Sequence, residues 1–458
     1  MTRDIKIEQA WSEFTSPETL LRLALDEDYS VRYGVARNEA TPPAVLSQLA
    51  KDADWNVQLG VAENPSTPPT ILAELALSES WQVRVRVADS SYIPPNVLQI
   101  LLIDKDSNVC KVVAKNPTTP PAALAKFAND ESEYVRLAVA KNPNTPPEAL
   151  AQLANDEDNE VREAVAENPS TPPETLAKLA NDKDEDVRYA VAGNPHTSTD
   201  ILVYLATDKD VGVRHRVALN HNTPLTTLVL LAHDEDKWVR RGIAGNKMTP
   251  PDILAQLARD EAMEVRWQVA NNPHIPLNVL VILGKDEKGF VRESVAKNPH
   301  TPPDTLSILA RDLDMEVRFC VGRNKSTSPD TLAELSENID GSVRDAVAGN
   351  PHTSPNILWL LARDGNVGVR KSVAYNESTP PEALEQLAHD EDKWVRRGIA
   401  GNKMTPPETL AQLTIDNDDM VREAARANPN TPPDFRVSVN APMVSATELA
   451  QPSTMEIN

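Results

Sequence analysis

Leucine recurs along this chain in pairs three residues apart, and each pair is followed by a Val pair spaced by four. In residues 142–167, Leu150 and Leu153 are followed by Val161 and Val165. With the alanines beside them, the leucines sit at i, i+3 and i+4, which predicts one apolar stripe on a helix of about ten residues. The Val segment predicts a second helix of about eight residues, partly 3₁₀, that stops where Asn-Pro drives the chain out of the helical basin. The two segments together recur every 26 residues. Starts fall at 12, 38, 64 and onward to 428 without an insertion or deletion, so sixteen complete repeats fill 12–427. Neither helix is long enough to persist alone, so stacking on neighbours is what buries both stripes. The expected fold class is all-α, a solenoid of about sixteen tandem two-helix repeats.

Punctuation follows the same frame. Thr stands fourth in 15 of 17 starts, mostly before Pro-Pro and often an acid, as in Thr145-Pro146-Pro147-Glu148. That order predicts a capping box with Thr at the N-cap and Glu reaching back. Residues 1–11 are expected to be an N-terminal cap and 428–436 a partial terminal repeat. The aperiodic, polar stretch 437–458 is expected to be a disordered tail. A 21-residue string, LAHDEDKWVRRGIAGNKMTPP, occurs at 231–251 and again at 387–407, six repeats apart, which points to block duplication.

Composition narrows the function. Thirty-eight prolines and only 15 glycines in 458 residues fit turns placed at fixed intervals. A net charge of −22 repels phosphate backbones and anionic membranes, which disfavours nucleic acid and lipid surfaces as partners. Cys110 and Cys320 are too few for a disulfide framework or a structural zinc site. There is no apolar run long enough for a bilayer, no hydrophobic core of a signal peptide in the first residues, no phosphate-binding glycine loop and no nucleophile elbow. No cofactor, no metal site and no enzyme are expected, and the expected setting is a reducing cytoplasm.

The repeat, written NPxTPPExLAxLAxDxDxxVRxAVAx, resembles the leucine-rich repeat variant family, and its VRxAVA half is similar to HEAT-like repeats. The resemblance covers about nine tenths of the chain. It implies a right-handed solenoid in which α-helices alternate with 3₁₀ helices, and members that serve mostly as interaction modules. It does not carry over the iron–sulfur cluster of a founding member, because residues 1–11 contain no cysteine.

Candidate sites divide into constant and variable positions. The constant pair is Asp with an Arg six residues later: Asp130 and Arg136, Asp156 and Arg162, Asp182 and Arg188, Asp312 and Arg318. Such regularity reads as a structural ladder, since guanidinium forks suit carboxylates and a ligand rarely needs the same pair fourteen times. The repeat-opening Asn reads as a backbone-capping ladder. Partner recognition belongs where repeats differ, at the residue after the ladder Arg and the one four later, which project together. There the chain places Tyr33, Arg37, Lys111, Tyr189, Arg241, Trp267, Phe319, Arg323, Lys371, Tyr375 and Arg397, a candidate ridge on the concave face. Tyr29, Trp55 and Trp81 form a second candidate, an N-terminal aromatic row, while Tyr134, Trp238, Phe290 and Trp394, one place later, read as local packing. The expectation is a scaffold or adaptor for a protein or peptide, with end-to-end self-association open. A nucleic-acid-binding helical repeat protein, or a regulatory subunit of an enzyme complex with HEAT-like repeats, are the alternatives.

Overall fold

The computed structural model describes residues 2–90 and 93–436; the expected disordered tail at 437–458 lies outside the described residues. Among the described residues there are 33 α-helices, one 3₁₀ turn at Pro433–Phe435 and no strand. The chain is an all-α solenoid of tandem repeats, in two compact units, Met1–Met248 and Thr249–Asn458. Within each unit the helices follow the 26-residue frame.

Residues 142–167 show how one repeat forms. Its leading helix is Pro147–Leu153 and its trailing helix Asn159–Glu167. The Leu, Val and Ala side chains of both stripes are almost fully buried: Leu150, Val161, Val165 and Ala166 have no exposed surface. Fully burying each such aliphatic side chain is worth about 1.5–3 kcal/mol.

Two local expectations are corrected. Thr145 is not the N-cap; Pro146 holds that place with Pro147 as the first helical residue. The Thr145 hydroxyl is buried and donates instead to the Val139 carbonyl at the end of the preceding helix, 2.6 Å away. The Val139 carbonyl, which also accepts from the Asn142 N–H at 3.0 Å, takes the hydroxyl with its second lone pair, while proline at the first position of the leading helix leaves one fewer amide to cap. Where Ser replaces the first Pro it caps at Ser16, Ser198 and Ser328, accepting from the N–H of Thr19, Ile201 and Thr331, but not at Ser354. The leading helix is accordingly seven residues, not ten. The second correction concerns the trailing segment, which is α-helical over eight or nine residues rather than 3₁₀. Its second Asp supplies the cap: the Asp158 carboxylate accepts from the N–H groups of Glu160 and Val161, which frees the helix to make regular i→i−4 bonds.

Residues 3–11 also follow the frame. Arg3–Trp11 is a helix in trailing-helix register, packed on Tyr29–Arg37, and Lys6 takes the ladder position, bonding Asp26 at 2.6 Å.

Both ladders bond one repeat to the next. Arg136 clasps Asp156, twenty residues on, with Nε to Oδ2 at 2.6 Å and Nη2 to Oδ1 at 2.9 Å, while Nη1 donates to the carbonyls of Asp130 and Glu131 in its own turn. The same clasp joins Arg162 to Asp182, Arg188 to Asp208 and Arg292 to Asp312. Three rungs differ. Gln58 and Ser78 form a neutral rung at 2.6 Å. Cys110 leaves Asp130 without its arginine and donates to the Asp104 carbonyl. Asn338 leaves the Nε of Arg318 buried without a hydrogen-bond partner. The Asn ladder runs beside these: Asn142 Nδ2 donates to Ala114 and Asn116 carbonyls at 2.7 and 3.0 Å.

The carboxylate ladder makes stability depend on acid. Burial works against the charged form of Asp156, but hydrogen bonds from Arg136 and from the Asp158 N–H outweigh it and hold the carboxyl below its ordinary 3.8. Asp52, Asp104, Asp182, Asp208 and Asp312 are lowered in the same way. A folded-state value below the unfolded one gives stability that is fully present above the unfolded value and is lost as pH falls from there through the folded one. The urea midpoint followed by far-UV circular dichroism is therefore expected to hold steady from neutral pH to about 5 and to drop steeply below about 4. A midpoint unchanged between pH 5 and 3 would contradict the ladder's role.

Candidate functional site

On each trailing helix the two Val anchors point inward, so the residue after the ladder Arg and the residue four later share an outward face. Close stacking of these helices depends on a small residue just after the first of them. A Cβ on Gly60 would touch the Tyr33 ring and one on Gly398 the Tyr375 ring, so ridge rings lie against the following repeat.

The ridge residues are consequently partly engaged. Tyr33 is half-buried, with its ring edge-on to Trp11 at 5.8 Å and 72°. Arg37 spans both rings at 5.7 and 6.0 Å and pairs with Glu63 of the next repeat at 3.0 Å. Phe319 and Trp267 are half-buried, and Arg323 lies 5.8 Å from the Phe319 ring. Tyr189 and Tyr375 are exposed, at 39% and 52%. Tyr29, Trp55 and Trp81 open three successive trailing helices and are each exposed by about two fifths or more.

All four rings expected to pack locally lie on this outward face instead, Phe290 being 69% exposed. Lys111 sits 5.3 Å from the Tyr134 ring in the next repeat. Arg241 and Lys237 both lie 5.3 Å from Trp238. Around Trp394 stand Arg397 at 5.4 Å, Lys393 at 5.5 Å and Lys371, from the repeat before, at 5.9 Å. These three rings remain 37–58% exposed. The available signal was spacing: a Trp three residues before an Arg on one helix shares its face. Arg216, which has no signal of its own in the repeat pattern, also reaches this face from a position that is small in most repeats.

Other chemistry is weakly provided for. Cys110 and Cys320 are buried, and burial pushes both thiols up to about 11, which keeps them protonated and poorly nucleophilic at neutral pH. Among the described residues no group of three or more His, Cys, Asp or Glu could hold a metal ion, and no helix is long and apolar enough to cross a membrane.

Two family models match the chain: the leucine-rich repeat variant domain over 162–221 and the leucine-rich repeat variant over 135–158, 289–314 and 367–392. A solved leucine-rich repeat variant, described as a novel repetitive structural motif, is 32% identical over 48% of this chain and 88% of its own. The chain belongs to the leucine-rich repeat variant family. Repeat model and sequence identity carry that assignment, since the superposition itself has a TM-score of 0.40. Importin beta in an ammonium sulfate condition is 13% identical over 89% of this chain and 60% of that one, TM-score 0.27. Kap121p bound to Nup53p is 12% identical over 93% and 54%, TM-score 0.38. Likenesses at that level say nothing about partners, and the chain spans only about three fifths of those proteins. No curated protein matches it. This leucine-rich repeat variant departs from the expected alternation, having α-helices at both places in its repeat.

Proposed function

We propose that this protein is a non-catalytic scaffold that binds a protein or peptide along the outward face of its trailing helices. One observation supports the reading above the rest: in an otherwise uniform repeat, that face gathers exposed aromatic rings with Lys or Arg within 6 Å of them, at Tyr134, Tyr189, Trp238 and Trp394. Rigid rings supply contact area at small entropic cost, and the cations beside them set register. The buried, reduced thiols and the acidic charge suit a reducing cytoplasm.

The test uses purified full-length protein and partners captured by cross-linking from native cells. Tyr375→Ala with Trp394→Ala is expected to weaken the leading partner at least tenfold, a loss of about 1.4 kcal/mol. Trp359→Ala, an aromatic 40% exposed on a leading helix, serves as the control and is expected to leave binding within twofold. Equal binding by both variants, or retention of nucleic acid alone by the wild type, would refute the proposal.

A further inference from the structure

Arg86 and Arg216 occupy the same place in their repeats, one that holds Gly, Ala or Ser in most of the others. Their surroundings differ in one respect. Arg86 is neutralised by two carboxylates: Glu63, twenty-three residues earlier on the preceding trailing helix, at 3.3 Å, and Asp89, three residues later, at 3.4 Å. At the corresponding places around Arg216 the chain has Gly193 and Leu219. Both acids are gone, and the arginine remains.

Space has been left with it. A Cβ on Gly193 would collide with the Arg216 guanidinium, so only glycine lets the side chain lie where it does. Gly193, Pro195, Arg216, Leu219, Asn220 and His221 line an open cavity of about 270 Å³. The Nε of Arg216 is buried without a hydrogen-bond partner, whereas ladder arginines such as Arg188 and Arg214 spend theirs on an aspartate. On one side the guanidinium lies 5.2 Å from the ring of Tyr189, a ridge residue. A desolvated donor left unmade is costly; Arg318 and Arg426 share that feature, and what sets Arg216 apart is the glycine, the cavity and the ring gathered beside it.

The geometry points to a binding site for a carboxylate side chain of the partner, an Asp or Glu received by Arg216 and flanked by Tyr189. Arg86 shows within the same molecule what this position accepts when it is filled: a glutamate from one side and an aspartate from the other. The planar fork of arginine matches a carboxylate in two-point contact, and the adjoining ring gives the acid's aliphatic stem a surface to lie on. The inference rests on the scaffold reading and adds to it the partner's chemistry: an acidic residue in the segment that crosses the repeat at 194–219.

Nuclear magnetic resonance of full-length protein labelled with ¹⁵N-arginine reads the site directly, at about 0.15 M salt so that distant charges are screened. The Arg216 Nε resonance is assigned by its disappearance in Arg216→Lys. N-acetylglutamate amide is expected to move that resonance saturably in the millimolar range, with N-acetylglutamine amide inert and the Arg86 resonance still. Leu219→Asp, which restores the aspartate that Arg86 has three residues on, is expected to shift Arg216 without any ligand and to weaken the response at least tenfold, with Leu219→Asn doing neither. No response to the glutamate, or an equal response from all exposed arginines, would overturn the inference. Saturation by inorganic phosphate at tenfold lower concentration would overturn the carboxylate assignment in favour of a phosphoryl group. Failure here leaves the Tyr375 and Trp394 result standing, and failure of that result leaves this titration readable.

Discussion

Arg162→Ala is expected to lower the stability of the N-terminal unit by about 3–5 kcal/mol, the cost of breaking one side of a buried ion pair. Four hydrogen bonds end on this guanidinium. Two go to the Asp182 carboxylate at 2.7 and 3.0 Å, and two to the carbonyls of Asp156 and Glu157 at 2.9 and 3.1 Å. The side chains are only 5% and 11% exposed, so water cannot readily replace what is lost. The pair itself is a different matter, because desolvation offsets much of its attraction. The chain already contains a neutral version: Gln58 donates to the Asp52 carbonyl at 2.7 Å and receives the Ser78 hydroxyl. Arg162→Gln combined with Asp182→Ser should therefore recover more than half of what either single change loses. Urea unfolding of the four proteins closes the double-mutant cycle, and purely additive losses would show that the rung is not a coupled pair.

The second large effect is expected at Asn168→Ala, about 2–4 kcal/mol on the same unit, since each buried polar group left unsatisfied costs about 1–3 kcal/mol. Asn168 is 3% exposed and does three jobs. Its Nδ2 donates to the Ala140 and Asn142 carbonyls at 2.7 and 2.9 Å, and its Oδ1 accepts from the Ser170 N–H at 2.8 Å. Ala140 lies in the last turn of the helix Glu133–Lys141 and Asn142 is that helix's C-cap; the Asn142 carbonyl also accepts from the Thr145 N–H at 3.1 Å, so the loss falls mainly on the Ala140 carbonyl and the Ser170 N–H. Asn168→Asp tests the donor specifically, because a carboxylate cannot donate and would face two carbonyl oxygens. It should be at least as damaging as alanine in thermal unfolding, and a milder effect would point to backbone geometry as the main role of the residue.

How far the sequence could be read depended on the range of the interaction. Leu150 and Leu153 announce a helix because their partners are three and four residues away and the burial pattern is periodic. The position of Asp182 opposite Arg162 is legible only as a recurring pair, since its pairing partner is the arginine twenty residues back rather than the one six residues on. Thr145 reads equally well as a cap or as a donor to a carbonyl six residues back, since both make the same demand on composition, and only the fold decides which lies nearer. Trp238 and Trp394 look like packing in the sequence because an aromatic one step from the ridge reads as core until the crossing of adjacent helices is known. Arg216 is silent in the sequence because its meaning lies in two acids that are absent, at Gly193 and Leu219, on two different helices.

The chain's own pattern dictated a stack of equal two-helix repeats, since fixed 26-residue spacing and short, individually unstable helices permit no other burial. Which hydroxyl caps, which carboxylate closes each rung, and which guanidinium is left without one were decided by the tertiary structure, because those choices turn on distances between residues that only stacking brings together.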